Sequence, residues 1–295
     1  MGLLNGNSIL VYAQITQAMQ IKNILVPVDF SPCSKNALLT AIEIARISKA
    51  KIHMVNSVHV HSHHPHVTGG LIEEIVAEYE EDVKRSFDSL NSELIELQEV
   101  PHEAKRFIAY LTDAIYTESK NKDIDLIVMG TRAEHEPMEH LLGSHTTDVI
   151  ESSEVPVLVV PEGQRATSFR RIGLACEYSK EIHLCDFSIL KNLIALYQAE
   201  LLIFSVAQDA EKLTIQDQKS IEKLSKVFEN EKSSVRTVEA DSVIAGINSF
   251  SANHQLDLLA IIPKKRNFLE RLFQKSVTKS MALDSELPLL IFKDI

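Results

Sequence analysis

The chain reads as an α/β protein built from two tandem copies of one unit, each a five-stranded parallel sheet flanked by helices. Three observations predict this. The stretch DLIVMGTRAEHEPMEHLLGSHTTDVIESSEVPVLVV (Asp125–Val160) returns without a gap as DLLAIIPKKRNFLERLFQKSVTKSMALDSELPLLIF (Asp257–Phe292), and 257 − 125 and 288 − 156 both give 132. Short apolar runs rich in branched residues alternate with segments of helical periodicity, the signature of a parallel sheet with right-handed crossovers. The 295 residues, 45% hydrophobic and 24% charged, suit two ordinary globular domains.

The elements follow in order. ILVPVDF (Ile24–Phe30) suits a strand buried on both faces. Pro27 conflicts with that assignment, because a central strand would lose a ladder bond there. In SPCSKNALLTAIEIARISKA, Ser31 is a helix N-cap with Pro32 at the first helical position, and Ala37, Leu38, Ala41, Ile42 and Ala45 recur at helical spacing. KIHMVNSV (Lys51–Val58) is a second strand, followed by the His-rich loop His59–His66. A long acidic helix is expected from Leu71 to Glu99, with Ile72, Ile75, Val76 and Tyr79 on its apolar face. A weak strand spans Glu99–Lys105, a helix Ile108–Asn121, and two strands lie at Asp125–Met129 and Val157–Val160.

The polar, turn-rich PEGQRATSF (Pro161–Phe169) marks a boundary, after which the pattern restarts. RRIGLACEYS mirrors KNILVPVDFS with Glu177 in the place of Asp29, LLIFSV (Leu201–Val206) mirrors the second strand, and LPLLIF closes the sheet. The expected organisation is a leader over 1–20 with Met19 an alternative start, a first domain over 21–162, a linker over 163–169 and a second domain over 170–295.

A net charge of −11 argues against general binding to nucleic acid or to an anionic membrane. No apolar run approaches the ~18 residues of a membrane helix. Three cysteines without CxxC spacing suit a reducing cytoplasm. Cys33, beside a helix start, reads as a small buried residue rather than a reactive thiol. The histidines His61, His63, His64 and His66 have no cysteine partner nearby and read as a polar loop, so no metal site is expected. No GxxxxGK[ST], GxSxG or HExxH run occurs, no catalytic residue is assigned, and any ATP hydrolysis is expected to be slow and incidental.

The binding signal lies at the strand ends. In an open parallel sheet ligands sit beyond the carboxyl ends of the strands, where the strand order reverses. Gly130 follows DLIVM at such an end, where a glycine tolerates positive φ and leaves no Cβ between backbone and ligand. Gly143 and Ser144 precede the helical TTDVIESS, whose unpartnered backbone N–H groups suit a phosphate, with the Ser144 and Thr146 hydroxyls as added donors.

Taken together, ILVPVDFS, the Gly130-to-Gly143-Ser144 spacing and the closing PVLVVP resemble the universal stress protein family, whose motif is Gly, two residues, Gly, nine residues, Gly, then Ser or Thr. The resemblance spans almost the whole chain as a tandem pair of Rossmann-like (HUP-type) domains. It implies that ATP or another adenine nucleotide, with Mg²⁺, binds the first domain. Asp29 would approach the adenine or ribose, Val28 and Val58 would line the base pocket, and Gly130 and Thr131 would face the ribose and phosphates. Gly143, Ser144 and Thr146 would hold the triphosphate. One departure is Ala133, in the place of the family's second glycine, where positive φ would cost about 1 kcal/mol or more. The second unit departs further, with Ile262, Lys265 and Lys275 at the glycine positions and only Ser276 and Thr278 kept. It is expected to be a degenerate partner. The resemblance also implies pairing of Val157–Val160 with Leu289–Phe292 within the chain, a possible homodimer, and stress adaptation in the cytoplasm through contacts with an unidentified protein. The rival readings are a scaffold without nucleotide and a weak ATPase or phosphotransferase.

Overall fold

A computed structural model describes residues 21–58, 69–131, 144–163, 167–178, 182–207, 214–262 and 287–293. The first half runs β1 (Asn23–Pro27), α1 (Pro32–Ser48), β2 (Lys51–Val58), α2 (Gly69–Glu93), β3 (His102–Ile108), α3 (Leu111–Lys122), β4 (Leu126–Thr131), α4 (Ser144–Ser152) and β5 (Val157–Pro161). The second half runs β6 (Arg171–Ala175), α5 (Ser188–Tyr197), β7 (Glu200–Ala207), α6 (Ile215–Val227), β8 (Ser233–Glu239), α7 (Val243–His254), β9 (Leu258–Ile261) and β10 (Leu289–Ile291).

The ten strands form one sheet in the order β3-β2-β1-β4-β5-β10-β9-β6-β7-β8. Every pair within a half is parallel. The expected edge pairing joins the halves: β5 and β10 run antiparallel, with Leu289 opposite Val159 and Leu290 opposite Leu158. What reads as two sheets in sequence is therefore one. The join covers two apolar strand edges that would otherwise invite association.

The branched runs form strands because both faces are buried. Along β1, Ile24 and Val26 enter one core layer and Leu25 the other. β5 alternates likewise, with Leu158 and Val160 on one face and Val157 and Val159 on the opposite face. α1 starts as expected: the Ser31 hydroxyl accepts from the Ser34 N–H, with Pro32 in the first turn.

Two expectations shift. The acidic helix stops at Glu93, and a 3₁₀ turn follows over Ile95–Glu99. Leu94, Leu97 and Val100 are all buried there, and their spacing of three matches the 3₁₀ period rather than the α period. The weak third strand lies later, at His102–Ile108, as a half-exposed edge.

Pro27 does sit in a central strand. Val28 donates to the Val55 carbonyl of β2 at 2.8 Å, so the neighbouring position would direct its N–H toward β4. The β1–β4 register runs only from Ile24 opposite Leu126 to Leu25 opposite Ile127. The missing donor thus falls where the two strands part, and their parting opens the sheet at its switch point.

Candidate functional site

Beyond the parted ends of β1 and β4 lies a cleft of about 600 Å³, within the usual range for small-molecule sites. Of the predicted residues, Val28, Asp29, Val58, Gly130, Thr131 and Thr146 line it together. Ser144 opens α4, although its side chain is outside the described residues. Gly143 and Ala133 also lie outside them, as do His59–His66 and the second-half positions Lys265, Lys275, Ser276 and Thr278.

Asp29 is held by a local turn. Its Oδ1 accepts from the Ser31 backbone N–H at 3.0 Å and from the Ser31 hydroxyl at 2.5 Å. Ser31 in turn caps α1 through the Ser34 N–H at 3.2 Å. The carboxylate therefore both supports the helix start and borders the cleft. Between them, Phe30 adopts φ 64°, a left-handed backbone that costs a side-chain-bearing residue about 1–2 kcal/mol. Its ring packs edge-on against Phe87 at 5.0 Å, which holds the kink in place.

Gly130 is a glycine for a different reason than expected. Its φ is not in the left-handed region, and a Cβ there would meet the Cys33 carbonyl oxygen and Sγ, each at 2.5 Å. The missing side chain lets the first turn of α1 lie directly on β4. Cys33 is buried at that contact, as its sequence position suggests. Thr146 is also buried, and its hydroxyl reaches the Gly130 carbonyl at 3.5 Å, tying α4 to the same strand end. The cleft's polar wall is thus braced by direct contacts among α1, β4 and α4.

Sequence reasoning did not assign other lining residues to the site, Ser57, Tyr110, Leu111 and His145 among them. The available signal was topological, because the ends of β2, β3 and β4 and the start of α4 share one edge of the sheet.

Among the described residues, the second half differs at the strand end. Ile262 stands at the Gly130 position and packs against the core. Among the described residues, no helix follows directly on β6. A 3₁₀ turn lies at Ile182–Leu184, and α5 begins at Ser188. Tyr178 is buried beyond β6 and donates to the Arg236 carbonyl at 2.5 Å.

A charged cluster lies away from the cleft. His53 and Glu103 are register neighbours on β2 and β3, and with Glu118 they have the spacing of metal ligands. Lysines already occupy the carboxylates: Lys51 contacts Glu103 at 2.5 Å, Lys122 contacts it at 3.1 Å, and Lys105 contacts Glu118 at 2.8 Å. Three ammonium groups make this an ion-pair network rather than a cation site. The Lys51 hydrogen bond leads in holding the Glu103 carboxyl down at about 2, and burial leads in pushing the His53 imidazole below its ordinary range. Among the described residues, no helix is long and apolar enough to cross a membrane.

The sequence model of the universal stress protein family matches residues 20–161. The chain is 30% identical over 144 residues to universal stress protein A homolog 1 of Coxiella burnetii, a match covering 48% of this chain and 97% of that protein. A universal stress protein structure from Archaeoglobus fulgidus superimposes with a TM-score of 0.63 at 19% identity, covering 93% of this chain and 99% of that one. A second, from Pseudomonas aeruginosa, gives 0.57 at 16% identity, with 94% and 95% covered. The two structures share the fold across both halves, while the C. burnetii relative corresponds to a single half. On the first-half match and the shared architecture, this chain belongs to the universal stress protein family.

Proposed function

We propose that the first half, over 21–162, binds ATP or another adenine nucleotide in the cleft beyond β1 and β4, and that the bound state changes contacts with a protein partner in the stress response. One observation carries this reading: the cleft lies at the switch point of the sheet, with the N-terminus of α4 on its rim. Unpartnered N–H groups there suit phosphate oxygens. Thr131, Thr146 and the backbone at Gly130 would lie along the phosphates and ribose, Asp29 beside the ribose, and Val28 and Val58 against the base. By the family motif, Ser144 and Gly143 would belong to the phosphate side, with alanine at 133 in place of the motif's second glycine. Mg²⁺ would arrive with the phosphates and offset their charge in a protein of net charge −11.

The second half, over 170–295, is proposed to bind no nucleotide and to serve as the structural partner, because Ile262, Lys265 and Lys275 replace all three glycine positions of the motif. The proposed setting is the cytoplasm. Binding without turnover is the proposed chemistry.

Calorimetry of the purified protein with ATP and AMP tests the reading, together with analysis of nucleotide that co-purifies. Binding of either is expected, with loss in Gly143→Asp, where an added carboxylate would repel the phosphates. A wild-type protein that binds neither would leave the scaffold reading. Phosphate release with Mg²⁺ that disappears in Asp29→Ala would instead favour the ATPase reading.

A further inference from the structure

The cleft has two flanks of different chemistry. One, beyond β4, carries Thr131, His145, Thr146 and the start of α4. The other, beyond β2 and β3, carries Val58, Tyr110 and Leu111. In the strand order β3-β2-β1-β4 these flanks stand three strand spacings apart, about 14 Å.

Tyr110 is unusual in two respects. It is 56% exposed although it is a large aromatic residue. It also occupies the N-cap of α3 with φ −62° and ψ 147°, where no side chain caps the helix. Serine, aspartate or asparagine at an N-cap typically stabilises by about 1 kcal/mol over a non-capping residue. Local helix stability therefore does not account for tyrosine at this place. Nor is the turn loosely held, because the Ser57 hydroxyl of β2 donates to the Ala109 carbonyl at 2.6 Å. A flat, exposed ring is thus presented on a fixed turn at the rim of the cleft.

We infer that Tyr110 is the platform on which the nucleotide's base stacks, and so a determinant of affinity for the nucleoside part of the ligand. The inference rests on the nucleotide reading and deepens it. The anionic end belongs at α4, where backbone N–H groups are available. The strand spacing then carries the base to the opposite flank, and Tyr110 is the aromatic group there. Stacking of a base on an aromatic ring does not depend on hydrogen-bond readout, so Tyr110 sets the strength of base binding and leaves the choice of base to other groups.

The chain contains no tryptophan, so Tyr110→Trp installs a single indole reporter. Its fluorescence should change saturably on titration with ATP and with adenosine. By calorimetry, Tyr110→Ala should bind ATP, AMP and adenosine about five- to a hundredfold more weakly than wild type. Tyr110→Phe should bind close to wild type, and inorganic triphosphate should bind all variants alike. If wild type binds ATP and Tyr110→Ala binds it as tightly, the platform is overturned and the nucleotide reading stands. If the alanine variant loses triphosphate and ATP affinity in equal measure, Tyr110 acts through the helix start, and the platform is again overturned. If wild type binds no adenine nucleotide, both readings fall. Equal melting temperatures of the variants confirm that the exposed substitution leaves the fold intact.

Discussion

At the residue scale, the site depends on groups whose partners are distant in sequence. Gly130 shows this most clearly. Its strand-end position was legible, because DLIVM ends where a strand should end. Its reason was not, because the constraint comes from Cys33 on another element. Gly130→Ala should destabilise the protein by about 1–3 kcal/mol in urea unfolding, since the new Cβ collides with a backbone carbonyl that cannot rotate away. Cys33→Ala in the same background should recover only part of the loss, because it removes the Sγ collision and leaves the carbonyl. Full stability of the single variant would refute the packing role.

Glu103 supports a pH prediction at the same scale. Its carboxyl is held at about 2 against an ordinary 4.5, so the unfolded chain takes up protons more readily than the folded one across that window. The stabilisation is complete above pH 4.5 and is lost as pH falls toward 2. His53 acts in the same direction at higher pH: its imidazole is held below 6.5 by burial, so stability also declines as pH drops below that value. Thermal melts across pH should show Glu103→Gln with a shallower acid limb than wild type between pH 4.5 and 2. Parallel limbs would remove the network from the acid response.

At the element scale, the duplication preserved the devices that align strands more faithfully than the groups that line the cleft. The aspartate opening each repeated segment has the same structural task. Asp125 Oδ2 accepts the N–H groups of Lys22 and Asn23 at 2.7 and 2.8 Å, and Asp257 Oδ2 accepts those of Arg170 and Arg171 at 2.8 and 2.9 Å. Each carboxylate thus fastens the entry of a half's first strand to the entry of its fourth. Asp125→Asn and Asp257→Asn should each cost about 1–3 kcal/mol, the usual scale for hydrogen bonds to a charged group. The two losses should add in the double variant, because the sites share no partner. Denaturant titration checks both points, and a cost near zero would make the aspartates ordinary turn residues. Helix ends were less legible. Lys49, Asp123, Gln198 and Gln255 all close helices in the left-handed conformation, yet none is the glycine that usually signals such a stop.

At the scale of the whole molecule, the β5–β10 join makes two repeats into one structure. A single core layer contains Leu158 and Val160 from the first half and Leu290 and Phe292 from the second, and Phe187 packs edge-on against Phe292 at 5.7 Å. Unfolding is therefore expected as one cooperative transition, seen alike by circular dichroism and by tyrosine fluorescence. Leu290→Asp, which buries a charge opposite Leu158, should lower the midpoint sharply or split the transition into two. A wild-type protein that already unfolds in two steps would mean that the seam couples the halves weakly.

Much of this could be read along the chain, because hydrophobic periodicity and an offset of 132 are properties of one dimension. They determined the α/β class, the repeat, most of the strands and helices, and the strand ends where Val28, Asp29, Val58 and Gly130 gather. The tertiary structure alone decided that Pro27 lies where β1 leaves β4, that Gly130 makes room for α1, that Tyr110 stands across the cleft from α4, and that ten strands form one sheet. Each of these depends on atoms brought together from separate elements, and periodicity within a segment carries no record of what lies on the other side of a contact.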